Sequence, residues 1–60
     1  MRVWTLNELF SLTRAELFAL HYRIAADLNQ LPEGSDDRGI ALTNLRNIRR
    51  VLARPDAAPH

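Results

Sequence analysis

The stretch Thr13–Leu31, TRAELFALHYRIAADLNQL, constrains this chain more than any other. Thr13 followed three residues later by Glu16 makes a capping box, so a helix starts there. Leu17, Leu20, Ile24, Leu28 and Leu31 recur at spacings of three and four, which puts them on one face of about five turns. A second row of Phe18, His21, Tyr22 and Ala25 lies beside the first. The apolar stripe is therefore wider than one partner helix covers, and something further must pack on it.

Little else is available in 60 residues, 47% of them hydrophobic. A chain of this size buries only about 60% of its unfolded surface. Small domains compensate with a disulfide, a metal or a partner chain. There is no cysteine, and the two histidines, His21 and His60, are far apart in sequence. By elimination the expected staple is a second copy. Trp4, Leu17, Leu20, Ile24, Leu28, Leu45, Ile48 and Leu52 are the expected dimer interface. The absence of cysteine suits a reducing cytoplasm. The N-terminus MRVWTLNELF has no long apolar core, so it does not read as a signal peptide. No apolar run reaches the roughly 20 residues that span a membrane.

Beyond Leu31, Pro32 stops the helix and Pro32-Glu33-Gly34 reads as a turn. Ser35 or Asp36 caps a second helix, with Asp36 and Asp37 complementing its dipole. Gly39 in its first turn reads either as a close helix approach or as nothing. Ala41, Leu45, Ile48 and Leu52 form its buried stripe, with Ile40 and Val51 at the margins. Pro55 ends it, and residues 55–60 are expected to be a disordered tail. Residues 1–54 then form one small domain.

Met1–Leu12 admits two readings. Val3, Trp4, Thr5 and Leu6 favour a strand over about Arg2–Leu6, and Trp4, Leu6, Phe10 and Leu12 share one parity. Glu8 falls on that same parity and spoils the pattern. Alternatively, Thr5 and Glu8 make a second capping box, with Leu6, Leu9 and Phe10 at helical spacing. The expected fold is thus mainly α. A short N-terminal strand or helical turn precedes two antiparallel helices, completed by homodimerisation.

Formal net charge is only +1, but it is unevenly spread. Up to residue 37, Arg2, Arg14 and Arg23 face Glu8, Glu16, Asp27, Glu33, Asp36 and Asp37. Then Arg38, Arg46, Arg49, Arg50 and Arg54 follow without an acid. Such asymmetry points to an anionic partner for the second half, against the plainer reading of a solvated helix face. Arg46, Arg49 and Arg50 fall in one narrow sector opposite the buried stripe.

Catalysis needs a constellation, and the sequence offers none. Gly34 and Gly39 are the only glycines, so no phosphate-cradling loop exists. Ser11 and Ser35 have no nearby His–acid pair, and Asp36 with Asp37 is explained by capping. The chain is read as a non-enzyme without cofactor or metal.

In order and size, and at the junction LFSLTRAEL, the chain resembles the ribbon-helix-helix (Arc- and MetJ-like) family of small dimeric DNA-binding regulators. The resemblance covers about Val3 to Leu52. In that family two N-terminal strands pair across the dimer and enter the major groove as a ribbon. Carried over by parity, the resemblance implies that Thr5 and Asn7, with Arg2, read bases; the acid-free run of arginines separately makes Arg46, Arg49 and Arg50 the expected phosphate contacts. Asp36 and Asp37 stand where the family docks a phosphate, and Glu8 is a second departure. The expected function is a cytoplasmic homodimer that binds double-stranded DNA as a transcriptional regulator. The rival is a helical hairpin that dimerises as a four-helix bundle and serves as a protein-interaction module or adaptor, its arginines solvated or bound to an acidic protein partner.

Overall fold

A computed structural model describes residues 2–54. Three helices occur among them: α1 (Leu6–Phe10), α2 (Arg14–Leu28) and α3 (Asp36–Ala53). Each start is dictated by a hydroxyl cap. Thr5 Oγ1 accepts from the Glu8 N–H and the Thr5 N–H donates to Glu8 Oε1. Thr13 and Glu16 repeat the same reciprocal pair at α2. Ser35 Oγ accepts from the Arg38 N–H at α3. Each box satisfies donors that a helix start otherwise leaves orphaned.

α2 is shorter at its C-terminus than the periodicity suggests. Pro32 forces Leu31 out of the helical region. The chain therefore leaves the helix after Leu28 through tight turns, Gln30 N–H to Asp27 O and Leu31 N–H to Leu28 O. Gly34 turns the corner at φ 80°, a value that favours glycine. Gly39 has open space where a side chain would stand, so it marks no close helix approach.

α2 and α3 form an antiparallel hairpin whose ends are tied by two arginines. Arg14, in the first turn of α2, donates to Leu52 O near the end of α3. Arg38, in the first turn of α3, donates to Leu28 O and Leu31 O at the end of α2. Each guanidinium thus satisfies carbonyls that the neighbouring helix leaves open, at the negative end of its dipole.

The core holds Leu9, Leu17, Ile24, Ala41, Leu45 and Ile48, with Trp4, Leu12, Leu20, Leu28, Leu31, Val51 and Leu52 packed around it. Leu9 of α1 is fully buried. Leu9 and Trp4 therefore add cover to the core shared by α2 and α3. The eight residues expected between two chains all belong to this core or its margin. Leu17, Ile24, Leu45 and Ile48 are buried within one chain, and Trp4, Leu20, Leu28 and Leu52 are half-buried against them. No described helix is long and apolar enough to cross a membrane. The tail expected at 55–60 lies outside the described residues.

Candidate anionic-partner interface

Arg2–Thr5 shows why the ribbon and the helix compete. The segment has no regular secondary structure, and its backbone is already engaged. The Trp4 N–H donates to Asn44 Oδ1 at 2.8 Å, and Asn44 Nδ2 donates to Arg2 O at 2.9 Å. One side-chain amide from α3 thereby imitates a neighbouring strand's peptide group. The next backbone groups are also committed, the Thr5 N–H to Glu8 Oε1 and Thr5 O to the Leu9 N–H. Leu6–Phe10 is helical, and no strand occurs among the described residues.

The residues assigned to base reading therefore sit as follows. Thr5 is the cap of α1, and Asn7 lies exposed on that helix. Arg2 folds back, its guanidinium 4.3 Å from the Trp4 ring centre and 2.9 and 3.0 Å from the two Glu8 oxygens. Glu8, which looked like a fault in a strand, joins a capping box and an ion pair. Its carboxyl is held at about 2, below the ordinary 4.5, chiefly by the Arg2 hydrogen bond and then by the Thr5 N–H. A depressed folded-state pKa stabilises the fold above 4.5 and loses that contribution as pH falls toward 2. Melting temperature should accordingly drop through this window in the wild type and drop less in Glu8→Gln. Equal acid slopes in both proteins would show that Glu8 is not the cause.

The acid-free run of arginines separates into two kinds. Arg38 caps α2, and Arg54 lies with its guanidinium 4.6 Å from the Phe10 ring centre, tying α1 to the end of α3. Arg46, Arg49 and Arg50 are exposed, and no hydrogen bond or ion pair engages them among the described residues. Helical spacing brings these three together on the outer face of α3, with the exposed Leu42 one turn before Arg46. Three guanidiniums with free donors can bind carboxylates or phosphates, and an apolar side chain among them suits a partner with apolar surface of its own.

Sequence reasoning missed Asn44, which is 1% exposed. The signal was present, since a polar residue beside Ala41, Leu45 and Ile48 falls on the buried face and must find partners there. Its partners lie some forty residues away, and no local pattern announces them. Among the described residues, no three His, Cys, Asp or Glu side chains gather as a metal site would require. No protein-family model matches the chain, and no curated protein or solved structure is significantly similar to it.

Proposed function

We propose that the chain is a helical-hairpin protein-interaction module whose partner is acidic. The observation that carries this reading is the exposed, unengaged cluster of Arg46, Arg49 and Arg50 on α3, beside a hairpin whose N-terminal segment is spent on internal contacts. An antiparallel ribbon needs free N–H and C=O groups along one strand edge. In Arg2–Thr5 the Arg2 C=O and the Trp4 N–H are committed to Asn44, the Thr5 N–H to Glu8 and the Thr5 C=O to Leu9. That weighs against base reading by Thr5 and Asn7. A cytoplasmic setting suits the cysteine-free sequence.

A DNA-binding regulator is the second reading, favoured by the same three guanidiniums, which suit phosphates as well as carboxylates. The homodimer expectation rests on the wide stripe of α2, and Trp4 lies along one flank of that helix. Fluorescence anisotropy against an acidic peptide and against duplex DNA, at several salt concentrations, separates the readings. Binding of the peptide should weaken with salt and vanish when Arg46, Arg49 and Arg50 are all replaced by Ala. Tighter binding of DNA, with log affinity falling by about 0.9 per contact against log salt, would hand the function to the regulator. Loss of that DNA binding in Asn7→Ala would restore the ribbon's base-reading residue. If neither probe binds, the module reading fails.

A further inference from the structure

We infer that the side of the α2–α3 hairpin facing away from α1 is a docking face for an acidic amphipathic helix. The inference rests on the interaction-module reading and adds the surface and the partner's secondary structure. Trp4 shares a shallow groove with Leu12, Glu16, Ala19, Leu20 and Arg23, so the N-terminal segment lies along that flank of α2. At 100° per residue, Phe18, Tyr22 and Ala25 point to the opposite flank. The same geometry, run along an antiparallel α3, puts Leu42, Leu45 and Arg49 on this side too.

This face is apolar at its centre. Tyr22 is 79%, Phe18 53% and Leu42 47% exposed. On roughly 150–250 Å² for a whole aromatic side chain, the two rings alone leave about 250 Å² open. With Leu42 the patch enters the range of roughly 300–600 Å² that is often functional on a small protein. Ala25 and His21 are half-buried and Leu45 is buried, and they form its floor.

The rim is basic. Arg14 and Arg38 flank the two ends and Arg49 stands beside the patch. The first two use Nη1 on carbonyls and keep their charge and other donors. Neither helix places an acid on this side: at 100° per residue Glu16 and Asp27 of α2 fall on the flank nearer α1, and Asp36 and Asp37 of α3 fall well away from Leu42 and Arg49. The nearest acid is Glu33 in the connecting turn, which shares a shallow groove with Arg38 and Leu42. A second copy docked here would bring two sets of Arg14, Arg38 and Arg49 together without counter-charges. An amphipathic helix with acidic flanks meets both demands, laying apolar residues at i, i+3, i+4 and i+7 on Phe18, Tyr22 and Leu42 and carboxylates on the arginines.

The test uses a labelled synthetic peptide of 18 residues, the length of α3, with Leu at helical spacing and Glu elsewhere. A scrambled peptide of the same composition is the control. The amphipathic peptide should bind and the scrambled one should not. Tyr22→Ser and Leu42→Ser should each weaken binding about tenfold, and Arg49→Glu at least as much. Arg23→Glu, on the flank nearer α1, should bind as the wild type does. Circular dichroism checks that each variant keeps its helices. Equal binding of both peptides, or wild-type affinity in Tyr22→Ser and Leu42→Ser, overturns the inference. If the peptide binds and only Arg46 and Arg50 changes matter, the interaction module stands and this face does not. Sedimentation showing a dimer that Tyr22→Ser dissociates would make a second copy the occupant and also overturn it.

Discussion

Replacing Leu9 by Ala is expected to cost about 2–5 kcal/mol and to release α1 from the hairpin. Leu9 is the one buried residue of a five-residue helix. A helix that short has no stability of its own, since nucleation is costly and few hydrogen bonds reward it. α1 is held by what it touches: Leu9 in the core, Arg54 over Phe10, and the Thr5–Glu8 box that shapes its start. The cost is large against the whole. At about 0.05–0.15 kcal/mol per residue, a chain of this length has roughly 3–9 kcal/mol to lose. Urea denaturation should show the midpoint falling steeply in Leu9→Ala, and the single tryptophan should report a more solvated environment before global unfolding. Leu6→Ala, at an exposed position of the same helix, should change stability by no more than about 0.5 kcal/mol. Similar small losses for both variants would mean that α1 is not part of the cooperative unit.

Much of this architecture is legible in the sequence because its signals are local. The Thr5–Glu8 and Thr13–Glu16 boxes, Ser35 before the acidic first turn, and Pro32 after Leu31 act within a few residues, and the helix starts follow from them. The stripe of Leu17, Leu20, Ile24 and Leu28 is as clear on α2 as its spacing suggests. What local patterns do not carry is the partner of each feature. The parity of Trp4, Leu6, Phe10 and Leu12 reads as well for a strand as the Leu6–Leu9–Phe10 spacing reads for a helix. The choice is shaped by Asn44, Leu9 and Arg54, each through a long-range contact. Arg38 shows the same limit for the candidate site. In sequence it belongs with Arg46, Arg49 and Arg50, yet its Nη1 holds Leu28 O and Leu31 O. Only the fold separates a guanidinium that also ties two helices together from one that no group among the described residues engages. The exposure of Phe18 and Tyr22 is equally invisible in spacing alone, because it depends on which flank of α2 the N-terminal segment covers.

Asn44 is the residue whose replacement should disturb the N-terminal segment most selectively. Its amide matches Arg2 O and the Trp4 N–H with one donor and one acceptor, a complementarity that few side chains offer. Asn44→Leu keeps the branched shape and removes both hydrogen-bonding groups, stranding two part-buried backbone groups. A loss of about 2 kcal/mol is expected, on roughly 1–3 kcal/mol for an unsatisfied buried group. Amide exchange at Trp4 should accelerate far more than exchange within α2. Asn44→Asp gives a sharper outcome, because its carboxyl can imitate the amide only when protonated. As a neutral acid it donates to Arg2 O and accepts from the Trp4 N–H. As a carboxylate it turns an oxygen toward Arg2 O and carries a buried charge, so the folded state raises its pKa. A raised folded-state pKa gives a contribution that is present in acid and lost as pH rises through that value. Relative to the wild type, Asn44→Asp should therefore be most destabilised near neutral pH and recover toward pH 4, in the range where an ordinary carboxyl titrates at about 3.9. The Trp4 amide should regain its protection over the same interval. If Asn44→Leu leaves Trp4 exchange unchanged and Asn44→Asp shows no recovery in acid, the clamp does not hold the segment, and Arg2–Thr5 is free to pair with another strand.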